Sequence, residues 1–465
     1  MREIIVEDLI NVCKGVLVKG NKDVILQNFS KDTRTLQKED IYIGIKGDNF
    51  DGNLLYEEAL KKGAKGCILN ENIQLEEDVL KNYPNIFIVL VKDTIKALQE
   101  LARFKRDLYN IPVIGVTGSV GKTSTKDIIA SVLSKKYRVL KTEGNYNNHL
   151  GVPLTILRLQ KEEALVIEMG MNNLGEIATL SKIAKPTVGV ITNVGTAHIG
   201  NLKTRENILK AKLEILEGMD KEGLLVINND NDLLHKWYLE NAQQYKIITF
   251  GIENKSDYFG VNIKEDKNGS EYQIATKENV YQNKVSVPGK HFVLNSLCAY
   301  AIGNIFQIDK HDIADGCHNF ELTKRRMEVN VIKEITLIND CYNANYDSMK
   351  MALNYLGNLK GRKVAVLGSM LELGTFSKEL HQKVGQEVIN NKIDVLITIG
   401  KEAMVIAKEW QKYNLNNVYV FLNINDALEK IKRIIKREDN ILLKASNGMN
   451  FGKLYDDLVE YLKYD

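Results

Sequence analysis

The chain has 465 residues, of which 44% are hydrophobic and 26% charged, and its 63 Lys and Arg nearly balance its 60 Asp and Glu. This length suits about two to four full-sized domains, and the net charge of +3 argues against a nucleic-acid or anionic-membrane partner. The five cysteines are scattered and form no C-x-x-C pair, which indicates reduced thiols and a cytoplasmic location. Because acids follow the first residues and no long apolar run begins there, we expect no secretory signal. Because no run approaches roughly 18 apolar residues, we expect no membrane span.

The predicted elements divide the chain into three α/β units, the first covering residues 1–108. Pro112 marks the end of this unit, because proline disfavours helix at the residue before it. Apolar periodicity and turn residues predict helices over 6–13, 56–62 and 94–109, and strands over 16–18, 41–45, 66–69 and 86–91.

Strand–helix alternation continues through the second unit, residues 109–318, and the third, residues 319–465. Such alternation builds parallel sheets with helices on their faces, and ligands then bind at the carboxyl ends of the strands. In the second unit we predict strands over 113–117, 138–141, 164–169, 188–194, 223–228 and 246–250, helices over 122–134, 175–184, 205–219 and 292–305, and a polar β insert over 256–286. In the third we predict strands over 335–340, 363–367, 394–399, 418–421 and 440–444, and helices over 349–356, 378–390, 402–412, 425–435 and 453–462.

The clearest motif is Gly-Ser-Val-Gly-Lys-Thr at 118–123, between an apolar strand and a predicted helix. Glycines let backbone N–H groups turn inward toward phosphate, and the helix N-terminus adds partial positive charge. Lys122 can reach the β- and γ-phosphates, and the hydroxyl of Thr123 can bind Mg²⁺. Val116 stands where the usual P-loop has glycine, so the motif is a shortened variant. The alternative is a glycine-rich turn that binds no ligand.

Other polar residues follow the predicted strands of the second unit. Glu168 ends one strand, where a carboxylate can bind a hard cation or form a structural ion pair. His198 follows the next strand and is either a ligand or a structural histidine. Lys212 lies on a predicted helix and by itself reads as a solvated lysine. Residues 143–149 form either a plain loop or a polar substrate contact.

Taken together and in this order, these segments resemble the Mur ligases. The resemblance covers essentially the whole chain and implies an N-terminal domain for a UDP-linked substrate, a central P-loop ATPase domain and a C-terminal Rossmann-like domain. The matching motifs are the run at 118–123, Glu-Met-Gly at 168–170, Asn-Val-Gly-Thr-Ala-His at 193–198, Ala-Lys-x-Glu-Ile at 211–215, Asp-Thr-Arg at 32–34, Phe-Asp-Gly at 50–52, Arg-Met-Glu at 326–328, Asp-Cys-Tyr-Asn-Ala-Asn at 340–345 and Met-Leu-Glu-Leu-Gly at 370–374.

The resemblance implies an ATP-dependent ligase that acts as a monomer in peptidoglycan precursor synthesis. The run at 342–345, followed by Asp347, resembles the members that join D-alanyl-D-alanine to UDP-N-acetylmuramoyl-tripeptide. In those enzymes ATP phosphorylates the peptide carboxylate, and the amine then displaces phosphate from the acyl phosphate. Closure of the domains would protect that intermediate from water.

The resemblance also implies a role for each matching residue. Two Mg²⁺ ions would be held by Thr123, Glu168, His198 and a carbamylated Lys212, and the catalytic set would be Lys122, Lys212, His198 and Glu168. The nucleotide would contact Thr117, Gly118, Ser119, Val120, Gly121, Lys122, Thr123, Ser124, Asn295, Arg326 and Asp340. The other two substrates would contact Asp32, Thr33, Arg34, Asn147, Asn148, Tyr342, Asn343 and Asn345.

Three positions of the third unit depart from the family pattern. Tyr346 stands where proline is usual, Ser369 where aspartate is usual, and Lys453 where an acid is common. Because the third domain binds the incoming amine in this family, two alternatives stay open. One is a related amide ligase with a different amine, and the other is a nucleotide-dependent switch that ligates nothing.

Overall fold

The computed structural model describes residues 2–266, 268–414 and 416–464 and contains three sheets flanked by helices. This architecture confirms the predicted α/β class with parallel sheets. The domain boundaries at 108/109 and 318/319 stay predictions. Within the described ranges, no helix combines the length and the apolar character needed to cross a bilayer.

The first sheet is mixed. Its strands are β1 (Val16–Lys19), β2 (Phe29–Ser30), β3 (Ile41–Ile43), β4 (Gly66–Asn70) and β5 (Phe87–Val91), and its helices are α1 (Val6–Cys13), α2 (Tyr56–Lys61), α3 (Glu77–Asn82) and α4 (Thr94–Asp107). The strands run in the order β1-β5-β4-β3-β2, and only the β1–β5 pair is antiparallel.

The last helix of this unit packs on the central one. Lys105 of α4 donates a hydrogen bond from Nζ to the carbonyl of Leu157 at 2.6 Å, and Nε of Arg106 donates to the carbonyl of Ala184 at 2.8 Å. Burial lowers the pKa of Lys105 to about 8. These buried cations tie the end of the first unit to the second.

The central sheet is the largest. Its strands are β6 (Val113–Thr117), β7 (Val139–Lys141), β8 (Ala164–Glu168), β9 (Val188–Ile191), β10 (Leu224–Asn228), β11 (Lys246–Gly251), β12 (Tyr258–Asp266), β13 (Gly269–Ala275) and β14 (Val280–Val285). They run in the order β14-β13-β12-β11-β10-β9-β6-β8-β7, parallel from β12 to β7, and the predicted β insert forms the antiparallel end. The helices are α5 (Lys122–Leu133), α6 (Gly151–Leu157), α7 (Glu176–Ala184), α8 (Ile199–Leu202), α9 (Arg205–Leu213), α10 (Asp232–Asn241), α11 (Lys290–Ile305) and α12 (Lys310–His318).

One predicted helix of this unit is wrong in extent. The helix expected over 205–219 ends at Leu213, and a 3-10 turn follows over Glu214–Gly218. The carboxylate of Glu214 accepts hydrogen bonds from the N–H groups of Gly175 and Ala178, at the start of α7. The α-helix therefore ends at Leu213, and the following turn places Glu214 where its carboxylate caps the start of α7.

The third sheet is parallel apart from its first strand. Its strands are β15 (Glu328–Ile332), β16 (Ile335–Asn339), β17 (Lys363–Gly368), β18 (Val395–Ile399), β19 (Val418–Phe421) and β20 (Asn440–Lys444), in the order β15-β16-β20-β17-β18-β19. The helices are α13 (Tyr346–Asn358), α14 (Ser377–Asn390), α15 (Met404–Gln411), α16 (Ile424–Ile434) and α17 (Phe451–Tyr464).

The position of β6 decides where a ligand can bind. This strand is buried throughout and lies between β9 and β8, which the chain reaches in opposite directions across the sheet. A point where strand order reverses leaves a crevice at the carboxyl ends of the strands. The loops after β6, β8 and β9 meet there, and these are the loops that carry the motifs.

Candidate active site

The turn after β6 has the backbone geometry of a phosphate cradle. Gly121 has φ +84°, and the Cβ of any other residue at this position would lie 3.0 Å from Oδ1 of Asn295. At Gly118, with φ +152°, an added Cβ would lie 1.9 Å from Oγ1 of Thr192. The left-handed backbone favours glycine at both positions, and at Gly118 the close approach of Thr192 excludes a Cβ as well.

Asn193 holds the first part of this turn. Its Oδ1 accepts hydrogen bonds from the N–H groups of Ser119 at 3.0 Å and Val120 at 2.9 Å. Lys122 closes the other side, with Nζ donating to the carbonyl of Gly118 at 2.7 Å. The amides that remain for an anion begin α5, where the helix N-terminus adds partial positive charge.

Glu168 ends β8 with one free carboxylate oxygen. Oε1 accepts a hydrogen bond from Nδ2 of Asn147 at 2.8 Å, whereas Oε2 is buried with no hydrogen-bond partner in the described chain. The side chain is almost wholly buried. Because a buried, unpaired carboxylate oxygen is costly, it is a strong candidate for a cation ligand.

Three basic side chains lie close together at the cleft: two belong to its lining, and Lys212 is buried outside it. Lys212 is 1% exposed, and burial, helped by the charge of Lys122, lowers its pKa well below 10.5. Burial also lowers the pKa of Lys122. His198 begins α8 with φ +64°, and burial together with the two lysines lowers its pKa to about 3. At neutral pH this histidine is therefore uncharged and can act as a ligand.

The third unit faces the turn with a buried ion pair. Nζ of Lys444 donates to Oδ2 of Asp340 at 2.5 Å and to the carbonyl of Asn343 at 3.1 Å. Oδ1 of Asp340 accepts the N–H of Met327 at 3.2 Å, so this carboxylate fixes the start of the third unit. The pair positions the segment that carries the Tyr-Asn-Ala-Asn run.

Arg326, near the start of the third unit, contacts the central unit. Its guanidinium lies 3.8 Å from the ring centroid of Tyr342, and Nη2 donates to Oγ1 of Thr123 at 3.2 Å. Its Nε is buried with no partner among the residues that the structure describes. An arginine over the end of a P-loop is well placed to meet phosphate oxygens.

A cleft of about 400 Å³ lies between the central and third units. Strand, glycine turn, lysine and helix in this arrangement define a protein of the P-loop class. The predicted site residues that line the cleft are Ser119, Val120, Gly121, Lys122, Thr123, Asn147, Asn148, Glu168, His198, Arg326, Tyr342, Asn343 and Asn345.

A second cavity of about 570 Å³ opens on the other side of Gly121. Asn295 of α11 lines it, and Nδ2 of this residue is buried with no partner within the described ranges. Asp340 and Ser124 lie between the two cavities, in a small connecting pocket. The turn at 118–123 thus stands between a polar cleft and a second cavity large enough for a nucleoside.

Several predicted residues occupy other places. Thr117 and Gly118 lie at the start of the turn and line neither cavity, and Lys212 is buried outside both. Asp32 and Arg34 pair with each other at 2.6 Å on the surface of the first unit, which lowers the pKa of Asp32 to about 2, while Thr33 is buried beside them. Neither cavity includes these three residues.

Two predicted substrate contacts have side chains that stabilise helix starts. Oδ1 of Asn345 accepts the N–H of Ser348 at 2.9 Å and caps α13. Oδ1 of Asn148 accepts the N–H of Gly151 at 2.9 Å at the start of α6. Their roles in binding substrate stay predictions.

Sequence reasoning assigned no role to other residues that line the cleft. Leu371 and Glu372 come from the Met-Leu-Glu-Leu-Gly motif, and Ser446 stands two positions after Lys444. The Met-Leu-Glu-Leu-Gly motif had been recognised in the sequence, but nothing in its spacing showed that it faces the P-loop.

Comparison with known proteins agrees with this arrangement. Two family models match, a Mur ligase middle domain over residues 116–303 and a Mur ligase, glutamate ligase domain over residues 325–447. A UDP-N-acetylmuramoyl-tripeptide–D-alanyl-D-alanine ligase of Bacillus subtilis is 36% identical over 461 residues, which is 98% of each chain.

Solved structures match over a similar length. A crystal structure of MurF from Acinetobacter baumannii superimposes with a TM-score of 0.88 at 29% identity, covering 99% of both chains. A MurF ligase from Thermotoga maritima in complex with ADP gives a TM-score of 0.81 at 28% identity, covering 94% of this chain and 98% of the other.

The chain belongs to the Mur ligase family. Its end-to-end relatives within that family include UDP-N-acetylmuramoyl-tripeptide–D-alanyl-D-alanine ligases, the MurF enzymes.

Proposed function

We propose that this chain is an ATP-dependent ligase that joins D-alanyl-D-alanine to UDP-N-acetylmuramoyl-tripeptide in the cytoplasm, as a monomer. The supporting observation is the 400 Å³ cleft, in which Lys122 and Glu168 of the central unit face the Tyr-Asn-Ala-Asn run of the third. The MurF relatives carry the same activity in their names, and one of them was crystallised with ADP.

In this proposal the nucleotide spans both cavities. The adenosine part occupies the cavity lined by Asn295, and the phosphates lie on the turn at 118–123. Lys122 leaves the carbonyl of Gly118 to bind the β- and γ-phosphates, and Arg326 leaves Thr123 to meet the transferred group. Two cations placed this way stabilise the charge that spreads over the phosphoryl oxygens during transfer.

The reaction has two steps. A carboxylate oxygen of the tripeptide attacks the γ-phosphorus, the bond to the β-phosphate oxygen breaks, and ADP leaves. The free amine of D-alanyl-D-alanine then attacks the acyl carbon, the carbon–oxygen bond breaks, and phosphate leaves. The protein's part is to hold three groups in line within a cleft closed to water.

The residues of the site fit divalent metal ions. Oε2 of Glu168 is buried without a partner, Thr123 offers a hydroxyl, and the depressed pKa of His198 keeps its ring available. When bound, Mg²⁺ would withdraw charge from the phosphoryl oxygens. Burial lowers the pKa of Lys212 well below 10.5 and so favours the neutral amine, the form that reacts with CO₂, and the resulting carbamate would supply a further anionic ligand.

The UDP end of the substrate belongs to the first unit in this proposal. Asp32, Thr33 and Arg34 match the family's UDP-binding segment, and their position outside the cleft suits a long substrate whose peptide end alone reaches Lys122.

The positions of the three residues that depart from the family pattern favour the same amine substrate as in the MurF relatives, D-alanyl-D-alanine. Oγ of Ser369 is buried and accepts the N–H of Ala403 at 3.2 Å, and the hydroxyl of Tyr346 donates to Glu387 at 3.0 Å. Lys453 lies exposed on α17. Since all three side chains are engaged or exposed away from the described lining of the cleft, they leave its chemistry unaltered.

A phosphate-release assay with ATP, Mg²⁺ and UDP-N-acetylmuramoyl-tripeptide tests this function. D-alanyl-D-alanine should start release, whereas D-alanine, L-lysine, L-glutamate and no amine should not. The variant Lys122→Ala should lose activity by at least about 100-fold while keeping its fold. Release with a different amine would identify a divergent ligase, and release without any amine would identify a nucleotide switch.

A further inference from the structure

The loop after β17 brings a carboxylate to the third-unit wall of the cleft. Glu372, in the middle of this loop, has φ +64° and a side chain that is 66% exposed. A residue other than glycine rarely adopts this conformation and persists in it only where its surroundings hold it there. An ordinary solvated loop glutamate would not need such support.

The loop is fixed from three sides. The N–H of Met370 donates to Nε2 of His381 at 3.0 Å, and the N–H of Leu371 donates to Oγ of Ser446 at 2.9 Å. On the third side lies Gly200 of α8, where an added Cβ would be 2.4 Å from the carbonyl oxygen of Glu372. Two elements of the third unit and one of the central unit therefore fix the backbone of the loop from which the Glu372 side chain projects.

Glu372 differs from the other carboxylates of the cleft. Three glutamates line it in the described chain, and the other two are engaged: Glu168 accepts from Asn147, and Glu176 accepts from the N–H of Asn172 at 2.8 Å. Glu372 accepts no hydrogen bond from any described residue, and Nδ1 of its nearest basic neighbour, His198, is 3.7 Å away. Its negative charge is thus free for a ligand.

The geometry points to Glu372 as the residue that binds the ammonium group of the incoming amine. This inference rests on the proposed ligase function and adds a substrate-binding residue to it. The phosphates and the acyl group belong to the opposite wall, which carries Lys122, so the amine must approach from the wall that carries Glu372. The incoming amine reaches the site as an ammonium ion, which the cations that bind phosphate would repel unless an anion lay on its path, and it loses one proton to solvent before it attacks as the free amine. The neighbouring side chain of Leu371 is apolar and suits an alanyl methyl group.

The test is steady-state phosphate release by the full chain, with each substrate varied in turn. The variant Glu372→Gln keeps the size of the side chain and removes its charge. We expect it to raise the KM for D-alanyl-D-alanine by about tenfold or more, with the KM for ATP and for the UDP-tripeptide changed by less than about twofold. Glu372→Asp, which keeps the charge, should show a smaller rise.

A ligand that lacks the positive charge of the ammonium group shows whether Glu372 acts on that charge or on the shape of the site. D-lactoyl-D-alanine has a hydroxyl in place of the ammonium group, so its inhibition constant should be the same for the wild type and Glu372→Gln. The control variant is Glu379→Gln, an exposed glutamate of the same domain that pairs with Lys383 on α14.

The outcomes are distinct. An unchanged KM for D-alanyl-D-alanine, an equal weakening of D-lactoyl-D-alanine, or a higher requirement for Mg²⁺ in Glu372→Gln would overturn the inference while leaving the ligase function intact. A wild-type chain with no phosphate release that depends on D-alanyl-D-alanine would overturn the proposed function itself.

Discussion

Asp347 and Thr196 join the third unit to the central one through a single carboxylate oxygen. Oδ2 of Asp347, in the first turn of α13, accepts the backbone N–H of Thr196 at 2.6 Å and its hydroxyl at 2.7 Å. Gly195 lies beneath this contact, where an added Cβ would be 2.3 Å from the same oxygen. The loop that leads to His198 is thereby held by a residue 151 positions away in the chain.

This contact predicts a loss of activity when the carboxylate is removed. Hydrogen bonds to a charged group contribute about 1.5–3 kcal/mol each, so we expect Asp347→Ala to lower kcat/KM by about 10- to 100-fold. Asp347→Asn keeps an oxygen acceptor and should lose less. A double-mutant cycle with Thr196→Val checks the pairing: additive effects would show that the two residues act independently, contrary to this account.

The contact between α8 and the loop after β17 predicts that Gly200→Ala impairs catalysis. Its Cβ would lie 2.4 Å from the carbonyl oxygen of Glu372, so the two units could not approach as closely. We expect ligase activity to fall by about tenfold or more, with ADP affinity measured by calorimetry little changed. The control is Gly47→Ala, where the backbone is not left-handed and the added Cβ would lie 3.5 Å from the carbonyl oxygen of Phe50, an ordinary van der Waals contact. Full activity of Gly200→Ala would mean that this contact is dispensable.

His381 predicts a pH-dependent contribution to stability. Burial lowers its pKa below 6.5 and outweighs the hydrogen bond from Nδ1 to the carbonyl of Ser377, which raises it. Nε2 accepts the N–H of Met370 and is therefore unprotonated in the folded chain. As pH falls below 6.5, the unfolded chain takes up a proton that the folded chain resists, so the stability from this group is lost with falling pH.

The measurement is urea unfolding of the wild type and His381→Ala, followed by the fluorescence of Trp410 in the same unit. The variant leaves a buried N–H unpaired and should cost about 2–4 kcal/mol near neutral pH. This difference should shrink between about pH 7.5 and pH 5.5, in the direction set by the lowered pKa. The exposed His311→Asn is the control. A difference that grows as pH falls would contradict the lowered pKa of His381.

The buried position of Lys212 leads us to expect that small carboxylic acids restore activity to a variant that lacks this side chain. If its neutral amine becomes a carbamate, Lys212→Ala removes an anionic ligand, and added acetate or formate should restore part of the lost activity. Lys210→Ala, an exposed lysine on the same helix, should behave like the wild type. No rescue by any short carboxylic acid, together with indifference of the wild type to bicarbonate, would count against the carbamate.

Local patterns in the sequence predicted the parts of the fold that depend on local chemistry. The strand over 113–117 and its glycine turn were predicted at the observed positions. Their signals are local, because β-branched residues favour a strand and the glycines and lysine of the motif stand next to one another in the sequence. The helix α6 was missed because it begins at Gly151 and contains Pro153, so packing against α4 stabilises it more than propensity does.

In the candidate site, too, the sequence predicted the residues that belong to local motifs and missed the contacts between units. Lys122, Thr123 and Glu168 were found because each stands next to a strand end or in a motif. The pairing of Asp347 with Thr196 and the position of Glu372 were not predicted. Each depends on how the central and third sheets lie against each other. No periodicity or spacing within either segment carries that information.

The most direct test of the central claim follows an oxygen atom. UDP-N-acetylmuramoyl-tripeptide labelled with ¹⁸O in its terminal carboxylate is incubated with ATP, Mg²⁺, D-alanyl-D-alanine and the enzyme, and the released phosphate is analysed by mass spectrometry. If the carboxylate is activated by phosphoryl transfer, each phosphate carries one labelled oxygen from the peptide. Phosphate free of label, formed together with the amide product, would contradict the mechanism.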